Sequence, residues 1–154
     1  MQVELPTQKL SPKNQVTLPK GARALIAAES DGHVCGLLHR MQQGRSGVWY
    51  PTLVLLVESE LQRREDAIRA AAGADPLAAE AAIARLNGTV QRMAIDAQRR
   101  VVLPKHFVAH LKLGHEVYMF STNSTVLAWN PTDWLAWSAA EEEQAPSGPP
   151  LLMI

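Results

Sequence analysis

The chain has 154 residues, 47% hydrophobic and 19% charged, the balance of an ordinary soluble globule of one domain or two small, closely joined ones. Fifteen Lys and Arg oppose fifteen Asp and Glu, so the formal net charge is zero and a generally polybasic, histone-like binder is excluded. The single cysteine, Cys35, excludes an internal disulfide framework, and apolar runs such as Leu53–Val57 are far too short to span a bilayer. Residues 1–20 lack the apolar core and cleavage site of a signal peptide, so the expectation is a cytoplasmic domain with no membrane contact.

In chain order, the first signal is Leu10-Ser-Pro-Lys-Asn-Gln-Val-Thr-Leu-Pro-Lys20. It predicts a short strand entering a turn at Lys13-Asn14 and a second strand leaving as Val16–Leu18, because Asn accepts the positive φ that tight turns need. Pro19 ends that strand and a short helix is predicted near Lys20–Ala28, with Gly32 turning the chain afterwards. A hairpin of His33–His39 with Val48–Tyr50 follows, its loop at residues 42–47. Trp49-Tyr-Pro-Thr52 then reads as a helix start with Pro51 at the first position. Leu53–Val57 has the composition of a strand, but its repeat partner Thr132–Trp137 favours helix. Ser59 and Gln62 have capping-box spacing, and Gly73 ends the helix they belong to. Asp75-Pro76 caps a second helix that closes at Asn87-Gly88.

The second motif is Ile95-Asp-Ala-Gln-Arg-Arg-Val-Val-Leu-Pro-Lys105, with its turn at Gln98-Arg99 and its leaving strand at Val101–Leu103. After Pro104 a helix is predicted over Lys105–Leu113, with Phe107 and Leu111 on one face. Gly114 turns into a hairpin of Glu116–Phe120 with Thr125–Trp129, and Trp129-Asn-Pro-Thr132 starts a last helix. The tail Gln144–Ile154, with three prolines and a glycine, reads as extended or disordered.

These elements repeat. Leu10–Lys20 lies over Ile95–Lys105 at an offset of 85, with Val16/Val101, Leu18/Leu103, Pro19/Pro104 and Lys20/Lys105 identical. Trp49-Tyr-Pro-Thr52 lies over Trp129-Asn-Pro-Thr132 at an offset of 80, the difference being placed in the loop Met41–Gly47. The chain reads as a tandem duplication. Charge follows the same division. Lys9, Lys13, Lys20 and Arg23 against Glu4 make the first motif basic; Arg85, Arg92, Arg99, Arg100, Lys105 and Lys112 against Asp96 do the same for the second. The segment Glu58–Glu80 between them is acidic, as is Glu141–Glu143.

Catalysis finds little support: there is no Gly-rich phosphate loop after a strand, no Cys-x-x-Cys pair and no serine elbow. His106 and His110 share a helical face as metal ligands do, but no third ligand is evident, so no metal site, cofactor or enzymatic activity is expected. A metal-dependent enzyme built on that pair is the weakest reading. Cys35 reads as core, and Trp49, Trp129, Trp134 and Trp137 read as packing residues rather than base-stacking platforms. The basic turns are the strongest chemical feature. Lys9, Lys13, Arg99 and Arg100 lie in or beside hairpin tips; Lys20, Arg23 and Lys105 lie at the start of the helix that follows. Such cations, beside free helical N–H groups, can grip phosphates and reach base edges.

At these residues Lys13-Asn-Gln-Val-Thr-Leu-Pro-Lys-Gly-Ala-Arg23 resembles the AbrB-type DNA-binding motif Lys-Gly-Gln-Val-Thr-Ile-Pro-Lys-x-x-Arg. The second copy, followed by Trp129-Asn-Pro-Thr-Asp-Trp134, is similar to the C-terminal half of the MraZ family, whose members carry two AbrB-like halves in one chain. The resemblance implies an α+β fold, a swapped-hairpin AbrB-type β-barrel formed from two tandem repeats with short flanking helices. It also implies transcriptional regulation through duplex DNA, by an oligomer that can close into a ring on repeated operator sites, in the cytoplasm at the nucleoid. The family's Asp-x-x-x-Arg is present as Asp96 and Arg100, whereas Ser11 and Gln15 stand in the first half. Asn14 and Arg99 occupy the usual turn glycine.

On this reading Lys13, Gln15, Arg99 and Arg100 face DNA and Lys9, Lys20, Arg23 and Lys105 contact phosphate. Asp96 and Asn14 brace the turns, since a free carboxylate repels phosphate. The expected division is a first half over 1–58, a helical connector over 59–88, a second half over 89–138 and a tail over 139–154. The alternative is an AbrB-like antitoxin or interaction scaffold whose tail, ending in Leu-Leu-Met-Ile, binds a partner protein.

Overall fold

The computed structural model describes residues 5–21, 32–122 and 124–144. Eight strands lie along it: β1 (Gln8–Lys9), β2 (Gln15–Thr17), β3 (His33–Gln42), β4 (Trp49–Leu56), β5 (Gln91–Ala94), β6 (Arg100–Val102), β7 (Glu116–Ser121) and β8 (Val126–Trp129). The helices are α1 (Glu58–Ala72), α2 (Pro76–Gly88), α3 (Lys105–Leu111) and α4 (Pro131–Gln144). Of the helix expected over Lys20–Ala28, only Lys20 and Gly21 are described, and both are helical. Residues 22–28, Arg23 among them, and the expected tail beyond Gln144 lie outside the described residues.

Six strands form a curled, open antiparallel sheet in the order β1-β7-β8-β4-β3-β5, and β2 pairs with β6 beside it. That order is the same read from either end once the halves are exchanged: β1 stands for β5, β7 for β3 and β8 for β4. The exchange is reciprocal at the level of single bonds. Leu10 N donates to His115 O at 2.8 Å and Ile95 N to Gly32 O at 2.9 Å; Leu18 N donates to Arg99 O at 2.9 Å and Leu103 N to Asn14 O at 2.8 Å. Each half therefore lends its first strand to the other half's hairpin, which is the swapped-hairpin arrangement.

Burial explains why these segments are strands. Val16, Leu18, Val34, Leu53, Leu55, Val101, Leu103, Val117 and Val126 form one core with Phe107 and Leu111 of α3. Cys35, Leu37, Val54 and Leu56 face the other way and close on Leu61 of α1. The middle of the sheet is thus covered on both faces, and a strand buried on both faces is an unbroken apolar run rather than an alternating one. At Gly36 of β3 a Cβ would lie 2.5 Å from Phe107 Cε2, so the ring from α3 occupies the space that any larger residue there would need.

Two expectations are corrected here. Pro51 and Leu53–Val57 do not open a helix; Trp49–Leu56 is strand β4, and α1 begins only at Glu58. The reason lies in the register. His33 faces Ala94 and Glu116 faces Lys9, so two residues further Cys35 and Tyr118 are equivalent; Cys35 faces Leu56 and Tyr118 faces Trp129. Leu56 is therefore the structural counterpart of Trp129, and Glu58 of Pro131. The two Trp-x-Pro-Thr segments are not equivalent, because the first hairpin is longer by several residues. The second correction concerns helix ends. α3 stops at Leu111 with Lys112 at φ 55° as its left-handed cap, ahead of Gly114. α4 continues through Glu141–Glu143, which places that acidic block on a helix, with Glu141 Oε1 accepting from Gly44 N at 2.9 Å.

Candidate nucleic-acid interface

Each basic turn is a five-residue unit with the same backbone. In the first, Ser11 N donates to Gln15 O and Asn14 N to Ser11 O, both at 2.9 Å; in the second, Asp96 N donates to Arg100 O and Arg99 N to Asp96 O, both at 3.1 Å. Asn14 and Arg99 both stand at φ 63°. Asparagine tolerates that left-handed conformation; arginine pays its Cβ penalty and is held there by its neighbours.

Side chains bind the turns from within. Asp96 Oδ1 accepts from Gln98 N at 2.9 Å and Arg100 N at 2.8 Å, while Oδ2 accepts from Arg100 Nε at 2.7 Å. These bonds, led by the Arg100 backbone N–H, hold the Asp96 carboxyl below its usual range. Ser11 Oγ accepts from Lys13 N at 3.2 Å and Gln15 N at 3.0 Å. A serine thus does the backbone part of the aspartate's task, and what the first half lacks is the carboxylate–arginine pair. Arg100 spends one of its five N–H donors on Asp96.

The antiparallel pairing of β2 with β6 joins these two units through their leaving strands, with Val16 opposite Val101 and Thr17 opposite Arg100, so one tip stands at each end of a short two-stranded ribbon. Lys13 is exposed at the first tip, Gln15 is half-buried on β2, and Arg99 and Arg100 are half-buried at the second tip. Lys20 and Lys105 are exposed at helix starts, and Lys9 is exposed on β1 opposite Glu116. Among the described residues no acid is ion-paired with Lys13, Arg99 or Lys105. The tips therefore carry positive charge that the fold does not neutralise, except for the Asp96–Arg100 pair.

The other candidates resolve differently. His110 Nε2 donates to the carbonyls of His39 and Thr52, both at 3.0 Å, which commits that nitrogen to holding α3 on the first hairpin. His39 Nδ1 lies 3.1 Å from Thr52 Oγ1, and burial, then the charges of Arg64 and His110, lower its pKa. Trp134 packs on Tyr118 and Phe120, and Trp129, Trp134 and Trp137 pack on one another, at centroid separations from 5.0 to 5.7 Å, as packing residues do. Trp49 lies apart, with Arg40 5.5 Å over its ring.

One cluster lay outside the sequence expectations. His33, Cys35 and Glu58 bring an imidazole, a thiol and a carboxylate within 4.8 Å of one another. Arg92, opposite Cys35 on β5, binds Glu58 through Nε and through Nη2, the latter at 3.1 Å. That arginine above all holds the Glu58 carboxyl down to about 2, while burial pushes the Cys35 thiol up to about 11. The available signal was the spacing of His33 and Cys35, two apart in a strand and so on one face.

Residues 86–147 match the family described as "MraZ protein, putative antitoxin-like". The curled six-stranded sheet with its exchanged first strands matches a swapped-hairpin AbrB-like architecture and is consistent with that family's fold. The MraZ match spans the second half and its turn, and the exchange symmetry carries the same turn geometry into the first half. The match supports a general regulatory, DNA-associated role. No curated protein matches the chain significantly. No helix among the described residues is long and apolar enough to cross a membrane.

Proposed function

We propose that the chain is a sequence-specific, duplex-DNA-binding regulator of the MraZ/AbrB kind that acts as an oligomer at the nucleoid. The observation that carries this reading is the pair of cation-bearing turns, built on one backbone pattern and joined by the antiparallel β2–β6 pairing, one at each end of that ribbon. Lys13, Gln15, Arg99 and Arg100 read the duplex, and Lys9, Lys20, Arg23 and Lys105 grip its phosphates. Asp96 and Asn14 hold the tips in shape. One chain offers only two unequal tips, so useful affinity comes from several subunits engaging repeated sites together. The 1–58, 59–88 and 89–138 segments serve as reading half, connector and reading half.

Fluorescence anisotropy with a duplex from the protein's own upstream region, against a scrambled duplex and across a salt series, tests this. The expected result is a preference for the native duplex that weakens with salt. Arg100→Ala should lower the preference for the native duplex, and Lys20→Ala should lower the salt slope by about 0.9 for its lost phosphate contact. Equal, feeble binding to both duplexes, unmoved by either substitution, would overturn it. The family description, antitoxin-like, favours one second reading, an interaction module that docks a partner protein through the segment beyond Gln144. That reading predicts loss of partner binding on deletion of the tail, with DNA affinity unchanged. Light scattering of the purified chain tests assembly, and a monomer at working concentration would remove the oligomer.

A further inference from the structure

We propose that His33, Cys35 and Glu58 are the three protein ligands of a site for a borderline-soft divalent cation of the zinc class. The donor set is the first ground. One imidazole nitrogen, one sulfur and one carboxylate oxygen is a combination that zinc accepts and that magnesium or calcium does not favour. Geometry is the second. His33 and Cys35 project from the same face of β3, and Glu58 is the first residue of α1, two positions beyond Leu56, which faces Cys35 across the hairpin. Tetrahedral zinc places its donors about 3.5 Å apart, so atoms already within 4.8 Å need only a small contraction.

The third ground is that the fold does not require this set. In the equivalent places of the second half stand Glu116, Tyr118 and Pro131, around the same hairpin and the same helix start. The architecture is built there without a nitrogen–sulfur–oxygen cluster, so the one in the first half is a local feature of that half. The fourth ground is the role of Arg92. Its guanidinium sits on the Glu58 carboxylate where the cation would, and its side chain is 53% exposed, free to turn to water when a divalent ion arrives. The His33 and Glu58 side chains are also partly exposed, so the fourth coordination position opens to solvent. On binding, Cys35 releases its thiol proton to solvent and His33 coordinates through Nε2, the nitrogen now 3.1 Å from Glu58 Oε1. The ion would bind β3 to the start of α1 and release the second half's Arg92.

The full chain, stripped with a chelator and titrated with cobalt(II), tests the proposal, with zinc then competing. The expected result is one cobalt per chain with a thiolate-to-cobalt charge-transfer band, displaced by zinc. Cys35→Ser should abolish the band, and Glu58→Gln should weaken zinc binding by about tenfold or more. Arg92→Gln should tighten it, because the competing guanidinium is gone; a merely structural role for the cluster predicts no such gain. Circular dichroism shows whether each variant is folded, and should buried Cys35 not tolerate serine, the Glu58 and Arg92 variants decide. Cobalt uptake without a thiolate band overturns the proposal. So does zinc affinity that Glu58→Gln leaves unchanged or that Arg92→Gln lowers.

Discussion

Ser11 Oγ and Asp96 Oδ1 each accept two backbone N–H groups across their turns, but only the carboxylate has a second oxygen for an arginine. Ser11→Ala should therefore cost about 1 kcal/mol in chemical denaturation, the value of partly exposed hydrogen bonds to backbone. A loss indistinguishable from zero would mean that the turn holds through Asn14 alone. Acid should reach the chain through its depressed carboxyls. Glu58 goes from 4.5 to about 2 on folding, so the stability it contributes is complete above about pH 4.5 and is lost as pH falls towards 2; Asp96 moves in the same direction. Glu58→Gln should flatten the pH dependence of unfolding in that window, and an unchanged slope would show that its ion pair contributes nothing. Much of this scale was legible in the sequence. Asn14 and Arg99 at the turns followed from the motif, whereas the His33–Cys35–Glu58 cluster did not. Two of its members are close in sequence, but the third arrives only through the β3–β4 register.

At the scale of elements, the Phe107 ring of α3 fits the sheet where Gly36 has no Cβ. Gly36→Ala should push on Phe107, which is wholly buried, and cost about 1–3 kcal/mol. Phe107→Leu in the same chain should recover part of that loss, so the two changes will not add in a double-mutant cycle. Strict additivity would show that the ring is free to move away. Helices with end signals were readable in advance: Asp75 Oδ1 does accept from Ala78 N at 3.1 Å, and Gly73 does end α1. Strand β4 was not. A run such as Leu53–Val57, apolar at every position, has no period to distinguish strand from helix, and the misleading Trp-x-Pro-Thr match tipped the balance. Only the sheet register shows that Leu56, not Trp49, occupies the place of Trp129.

For the molecule as a whole, the exchanged strands bind the halves more firmly than the connector does. β1 is held by β7, β5 by β3, and β2 by β6. A protease site placed at residues 73–75, which are exposed between α1 and α2, should yield two pieces that co-elute under native conditions and part only in denaturant. Pieces that elute separately would show that the tether, and not the interlock, keeps the chain whole. Covalent fusion of the halves has one more consequence. Two identical chains with a true two-fold axis present the same reading head twice, and their preferred sites are palindromes. Here one turn carries Ser11, Lys13 and Gln15 and the other Asp96, Arg99 and Arg100, free to diverge because each is encoded separately. If the turns read DNA as proposed, a duplex gripped by such a pair has a direction, and the protein would sit on it one way round.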